Sequence, residues 1–141
     1  MTEARRIGHI RQDIEDRKDY LTEKEYNILL TTLIYNIDKI ANTLGHFEAY
    51  IKKPIKHKQL YLKLIDAKSF DQVEIYREDS NQLARRINAD LVYIDPPYNS
   101  RQYSRFYHVY ETLVKWDKPQ LFGVAMKPVP ENMSDYCSNK A

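Results

Sequence analysis

Glycine and cysteine are scarce in this 141-residue chain, and each scarcity excludes a kind of site. The sequence contains three glycines where average usage of about 7% would supply roughly ten. These three cannot form a glycine-rich loop that cradles phosphates or a nucleotide. The single cysteine, Cys137, excludes an internal disulfide, and the histidines lack the spacing to it that a zinc site needs, so we expect no metal.

Long apolar runs are also missing. No stretch approaches the ~20 apolar residues of a membrane span, and the N-terminus lacks the pattern of a signal peptide. The sequence therefore predicts a protein of the reducing cytoplasm, without a membrane partner. Net charge is +2, but 30% of the residues are charged and twelve are tyrosine, which suits a nucleic-acid enzyme without proving one.

Two helices are predicted near the N-terminus. Apolar residues at Ile7, Ile10 and Ile14 indicate a short helix in a charged segment that ends near residues 18–20. A capping box of Thr22 and Glu25 then begins a long amphipathic helix. Its apolar residues recur at helical spacing from residue 26 to residue 44, where Gly45 is expected to stop it.

The rest of the pattern predicts an α/β order. Residues 73–77 alternate as a strand does, and Ser80 is a candidate cap for a short helix through Ile87. Residues 91–94 form a continuous apolar run, which is typical of a parallel strand that is buried on both faces. A further helix follows around residues 106–114 and ends before Pro119, so strand and helix alternate.

The tetrapeptide Asp95-Pro96-Pro97-Tyr98 follows the second predicted strand directly. Ligands bind open parallel sheets at the carboxyl ends of strands, so this position favours a functional site. The prolines fix the backbone, leaving the Asp95 carboxylate and the Pro96 carbonyl as rigid acceptors. Two acceptors suit an exocyclic amine, such as that of adenine, whose nitrogen gains positive charge as it attacks a methyl group. Tyr98 offers a stacking face for an extruded base, although a purely structural turn remains the alternative.

A known family shows the same features. The sequence DPPYN after a buried strand, with SRQYSRFYHVYET behind it and ANTLGHFEAYIKK before it, resembles the restriction-modification branch of N6-adenine DNA methyltransferases. The resemblance covers roughly residue 20 to the end, and it implies a Rossmann-like fold that uses S-adenosylmethionine. It also implies catalytic roles for Asp95, Pro96, Pro97 and Tyr98, and contact of Asp95 with the cofactor. Asp79 matches an acid near the cofactor's adenine, although an acid before a helix can equally complement the helix dipole.

The FxGxG-type cofactor loop of that family and its ribose-binding acid are not found in the sequence. We therefore expect a truncated, central part of the methyltransferase fold, with residues 1–20 as a charged helical segment and residues 21–141 as a partial catalytic domain. On this interpretation the isolated chain is inactive. Its expected partners are DNA and either the missing N-terminal part of the enzyme or a second copy.

Candidate DNA contacts lie in two places. Asn99, Arg101 and Tyr103 follow the tetrapeptide, although Tyr103 could equally pack under the next helix. Lys52 and Lys53 belong to a lysine-rich loop, which is either a solvated surface or a phosphate contact. Two other functions stay open, namely methylation of an amine in RNA and a non-catalytic DNA-binding or assembly subunit.

Overall fold

The regular elements of the described chain are helices. The computed structural model describes residues 2–43, 51, 58–95, 102–134 and 137. Within these ranges the helices are α1 (Glu3–Asp16), α2 (Glu23–Asp38), α3 (Ser80–Leu83), α4 (Tyr103–Phe106) and α5 (His108–Lys115), and a 3-10 turn, Lys18–Tyr20, joins α1 to α2. In this part of the chain no helix is long and apolar enough to cross a membrane.

The two N-terminal helices begin as the sequence predicts. Thr22 caps α2: its backbone N–H donates to Glu25 Oε2 at 2.9 Å, and the Glu25 N–H donates to Thr22 Oγ1 at 3.3 Å. The predicted capping box is therefore confirmed. The predicted extent is wrong, because α2 ends at Asp38 and does not continue to residue 44. The backbone tightens there, with the Ile40 N–H bonding three residues back to Ile37 O at 3.0 Å. Gly45 lies outside the described residues.

The core lies where α1, α2 and α5 meet. Its buried members are apolar and come from all three helices: Ile14, Leu30, Leu33, Ile37 and Leu113. Ile7 and Ile10 pack against this cluster, so the predicted apolar face of α1 is confirmed. Leu33 is only 1% exposed, and full burial of a leucine side chain stabilises a fold by about 1.5–3 kcal/mol. The small core thus fixes α5, the second helix after the tetrapeptide.

Arg11 is a fully buried cation that ties α1 to the end of α5. Its Nε donates to Leu113 O at 2.5 Å, and its Nη2 donates to Val114 O at 3.3 Å. The last four carbonyls of a helix have no partner within the helix, so Arg11 satisfies two that would otherwise be unpaired. Its charge is balanced by Glu15, which accepts from Nη1 at 2.8 Å. The guanidinium also lies 5.0 Å from the ring centre of Trp116.

An extended segment, residues 60–65, is held against α1 and α2 by side chains. The Leu60 N–H donates to Glu3 at 3.1 Å, and Arg6 donates to Leu60 O at 2.9 Å. Asn36 of α2 donates to the carbonyl of Lys63 at 2.9 Å. Leu60 itself is completely buried. Helix side chains here make the backbone hydrogen bonds that a neighbouring strand would make in a sheet.

The predicted strands are not observed among the described residues. Neither 73–77 nor 91–95 belongs to a strand, and Leu91 is 89% exposed, so the prediction of a buried strand at 91–94 is wrong for this structure. An apolar extended segment becomes a strand only when a neighbour accepts and donates its backbone hydrogen bonds, and no described residue does so here. The α/β layering is therefore not seen among the described residues, whose regular elements are helices.

The two later helices differ from their predicted boundaries. Asp79, and not Ser80, caps α3, because Asp79 Oδ1 accepts the Gln82 N–H at 2.9 Å. α3 ends at Leu83, although turns continue to Ile87. The helix predicted after the tetrapeptide exists but is broken at Tyr107 into α4 and α5. It ends before Pro119 as predicted, at Trp116 in the left-handed conformation.

Candidate functional site

Asp95 ends an exposed, extended segment. Residues 91–95 have no regular structure, and the Asp95 side chain is open to solvent. The predicted site residues that follow, Pro96, Pro97, Tyr98, Asn99 and Arg101, lie outside the described residues, as do Lys52 and Lys53. The structure therefore describes three of the predicted site residues, which are Asp79, Asp95 and Tyr103.

Gln102 holds the chain just after the tetrapeptide to a distant segment. It is 7% exposed, and its side-chain amide makes two hydrogen bonds to the backbone of Ser134. Nε2 donates to Ser134 O at 2.9 Å, and the Ser134 N–H donates to Oε1 at 2.7 Å. Paired strands of a sheet exchange backbone hydrogen bonds in the same way. The two hydrogen bonds fix the start of α4 relative to residues 131–134.

Asp79 lines a polar cleft, which we call the Asp79 cleft. Its volume is about 550 Å³, and its lining residues come from two segments: Arg77, Glu78, Asp79, Ser80, Asn81, Asn132, Met133 and Ser134. The Asp79 carboxylate is exposed, with Oδ1 capping α3 and Oδ2 bonded to no described residue. One acceptor oxygen is thus open to a ligand while the other serves the helix.

A second cleft, which we call the tyrosine cleft, lies along α4 and α5. It also has a volume of about 550 Å³ and is lined by Tyr103, Tyr107 and Tyr110 together with prolines, a valine and charged residues. The Tyr107 and Tyr110 rings are nearly parallel, 10° apart with centres 6.3 Å from each other. The Tyr103 ring meets Tyr107 edge-on at 5.9 Å. The three tyrosine rings therefore form a continuous aromatic part of the lining.

Hydrogen bonds fix the charged and polar groups of the tyrosine cleft. The Tyr110 hydroxyl donates to Asp38 at 2.6 Å, and burial together with that carboxylate raises the pKa of Tyr110. Lys115 donates to Glu131 at 2.7 Å, a hydrogen bond that raises the pKa of Lys115 and lowers the pKa of Glu131. His108 is buried, with Nδ1 3.0 Å from the carbonyl of Arg105.

The two clefts share a border, but they do not bring all predicted residues together. Arg77 and Asn132 line both, whereas Asp95 lines neither. The sequence interpretation missed Tyr107, Tyr110 and Gln102. A signal for the tyrosines was present, because residues 103, 107 and 110 recur at the spacing of one helical face. No sequence pattern pairs Gln102 with residue 134.

Metal ligands do not cluster in the described ranges, where no group of three or more His, Cys, Asp or Glu residues could hold an ion.

A family model matches nearly the whole chain. It describes the D12 class N6 adenine-specific DNA methyltransferases, and the match covers residues 2–140. The chain belongs to this family. The match includes α1, which lies upstream of the sequence features that resembled the family. Membership confirms the suspected resemblance. It implies the fold of an enzyme that uses a methyl donor.

Relatives of this D12-class chain are named as modification methylases or type II methyltransferases. It is 41% identical over 126 residues to the modification methylase StsI of Streptococcus sanguinis. This alignment covers 86% of the present chain and 19% of the relative. It is 36% identical over 143 residues to the type II methyltransferase M.FokI of Planomicrobium okeanokoites. The alignment covers 97% of the present chain and 22% of the relative. It is also 36% identical over 120 residues to M.NlaIII of Neisseria lactamica, covering 81% and 36%.

The chain therefore spans between about a fifth and about a third of the length of these relatives. No solved structure matches it significantly.

Proposed function

We propose that this D12-class chain carries the methyl-acceptor site of an enzyme that methylates the exocyclic N6 amine of a flipped-out adenine in DNA. The observation that carries the proposal is the tetrapeptide Asp95-Pro96-Pro97-Tyr98 inside a family match to residues 2–140. The family description, which names adenine-specific DNA methyltransferases, supports DNA as the acceptor and not RNA.

In this proposal Asp95 and the Pro96 carbonyl each accept one N–H of the adenine amine. Fixed acceptors stabilise the positive charge that develops on the nitrogen in the transition state, which is where an electrostatic contact accelerates a reaction. The exposure of Asp95 supports the role, because its carboxylate is reachable by a base that has left the duplex. Tyr98 stacks on that base and offsets part of the energy of extruding it.

S-adenosylmethionine is the proposed cofactor, and it supplies the methyl group when bound. Asp79 fits a role in holding its adenine, because Asp79 Oδ2 is an open acceptor in a cleft of about 550 Å³. Capping of α3 by the other oxygen fixes the direction of the carboxylate. Asp95 borders the cofactor as well as the target amine in this proposal.

DNA contact is proposed for the residues around these groups: Asn99, Arg101, Tyr103, Lys52 and Lys53. The position of Tyr103 in the tyrosine cleft supports contact with a base more than burial under α5, since its side chain is 43% exposed. Residues 73–77 and 91–94 are proposed to join a Rossmann-like sheet, because their apolar side chains are exposed here and need covering. The covering strands come from another part of the enzyme or from a second copy.

The test is a graft of this chain in place of the matching stretch of the StsI methylase, assayed by transfer of tritiated methyl groups to duplex DNA. Asp95→Asn should lower the rate by at least about 100-fold, as expected for loss of one electrostatic contact to a transition state, with little change in DNA binding. Asp90→Asn is the matched control, because it removes the same charge from an exposed residue five positions earlier. An unchanged rate in Asp95→Asn would refute the proposal.

Substitutions of Tyr98 in the same graft test the capture of the base separately from methyl transfer. Tyr98→Ala should weaken capture of the base by about 1–3 kcal/mol, whereas Tyr98→Phe keeps the ring and should be tolerated. Structured RNA offered in place of duplex DNA distinguishes the RNA alternative, and methyl incorporation into RNA alone would contradict DNA as the acceptor.

A further inference from the structure

The tyrosine cleft has the size and surface of a site for a flat organic ring. Its volume of about 550 Å³ lies within the range of about 300–1,000 Å³ that is usual for small-molecule sites. Three tyrosines form one part of the lining, and Pro119, Pro128 and Val129 contribute apolar surface elsewhere. Tyr107, which is 39% exposed, lies between the other two rings. An aromatic side chain with exposed surface is what nucleobases stack on.

The cleft is held in shape by contacts outside it. Arg11 binds the last carbonyls of α5, and the two hydrogen bonds of Gln102 hold Ser134 near the start of α4. Lys115 links α5 to Glu131 of the neighbouring segment. Because these contacts join the chain's own residues, little ordering would be needed when a ligand binds, which favours affinity.

Charge in the cleft favours an uncharged ring over a phosphate group. Glu111, Asp117 and Glu131 line it together with two cations, Arg77 and Lys115. Lys115 is already paired with Glu131 at 2.7 Å and lies 3.9 Å from Glu111. A phosphate would meet the excess of carboxylates, whereas a neutral base would not.

The cleft also lies close to the tetrapeptide along the chain. Tyr103 lies five positions after Tyr98, and a fully extended chain covers at most about 18 Å over that distance. This length corresponds to about five base steps of 3.4 Å along one DNA strand. A DNA strand that delivers adenine to the tetrapeptide can therefore reach the cleft with a nucleotide within about five steps of the target.

We propose that the tyrosine cleft binds a second, unpaired base of the DNA strand, near the target adenine, by stacking on Tyr107. The inference rests on the proposed function, because that function supplies DNA as the substrate. It adds a base-binding site formed by Tyr107 and Tyr110, in addition to the tetrapeptide.

The experiment measures binding of the 141-residue chain to a fluorescein-labelled deoxyadenosine oligonucleotide by fluorescence anisotropy, with no methyl donor present. Tyr107→Ala should weaken binding by between about five-fold and about a hundredfold, the range for losing one stacked base. Tyr107→Phe keeps the ring and should bind as the unmodified chain does. Tyr20→Ala is the matched control, because Tyr20 is 89% exposed and lies outside the cleft.

Two further measurements separate stacking from other effects. The dependence of affinity on salt should have the same slope in Tyr107→Ala as in the unmodified chain, because stacking releases no counterions. Tyr107→Leu keeps apolar packing around α5 but has no ring, so it should bind as weakly as Tyr107→Ala. Circular dichroism checks that each variant keeps its helices.

Several results would overturn the inference: no binding of the oligonucleotide, unchanged binding in Tyr107→Ala, or recovery of binding in Tyr107→Leu. Displacement of the oligonucleotide from the cleft by S-adenosylmethionine would also overturn it, because the ring bound there would then be that of the methyl donor. These failures are distinct from failure of the proposed function, which is decided by methyl transfer in Asp95→Asn.

Discussion

Arg11 offers the sharpest test of how the N-terminal helix supports the rest of the chain. Its side chain is fully buried and makes hydrogen bonds to Glu15, Tyr26 and the carbonyls of Leu113 and Val114. Removing one partner of a buried ion pair typically costs about 3–5 kcal/mol, because the groups left behind are desolvated and unpaired. Glu15 is 31% exposed and regains water, so the carbonyls of α5 carry most of the cost.

We therefore expect Arg11→Ala to lower the free energy of unfolding by about 3–5 kcal/mol, a large part of the roughly 5–15 kcal/mol that is usual for a domain. Arg11→Met keeps most of the side-chain volume but leaves Leu113 O unpaired, and should still cost about 2 kcal/mol. The assay is urea unfolding, followed by circular dichroism and by fluorescence of Trp116, the only tryptophan of the chain. Its ring lies beside the guanidinium and reports this region directly.

Arg17 is the matched control for Arg11. It lies next to α1 and pairs with Asp13 at 3.1 Å, but its side chain is 65% exposed and that of Asp13 is 61% exposed. Exposed pairs contribute about 0–1 kcal/mol, so Arg17→Ala should change stability little. If Arg11→Ala and Arg17→Ala cost the same, the network around Arg11 does not hold α5 in place and the reasoning fails.

Two further predictions concern the same helices. Thr22→Ala removes the cap of α2 and should lower the free energy of unfolding by about 1 kcal/mol, measured by urea unfolding; no change would mean that the capping box is dispensable. Hydrogen bonds from Tyr26 and then from Arg11 lower the pKa of Glu15, so its ionised form stabilises the fold. This contribution is complete above the usual pKa of 4.5 and is lost as pH falls through the lowered value. The stability gap between the unmodified chain and Glu15→Gln should therefore narrow below pH 4.5, and a gap that is independent of pH would contradict the assignment.

Local patterns in the sequence were sufficient for the helices near the N-terminus. The capping box at Thr22 and the apolar spacing of α1 depend on residues three or four positions apart, so neighbouring residues alone fix them. The tetrapeptide at residues 95–98 likewise indicated the family, because its chemistry depends on four consecutive residues. The roles of its residues stay predictions.

Tertiary structure decided the features that depend on distant partners. Burial of Arg11 requires the carbonyls at the end of α5, about a hundred positions along the chain, and the pairing of Gln102 requires the backbone of Ser134. Residues 91–94 have the composition of a buried strand, yet they lie exposed, because a strand needs neighbours to satisfy its backbone hydrogen bonds. Composition determines which residues favour burial. Only the packed chain determines which of them find a packing neighbour or a hydrogen-bond partner.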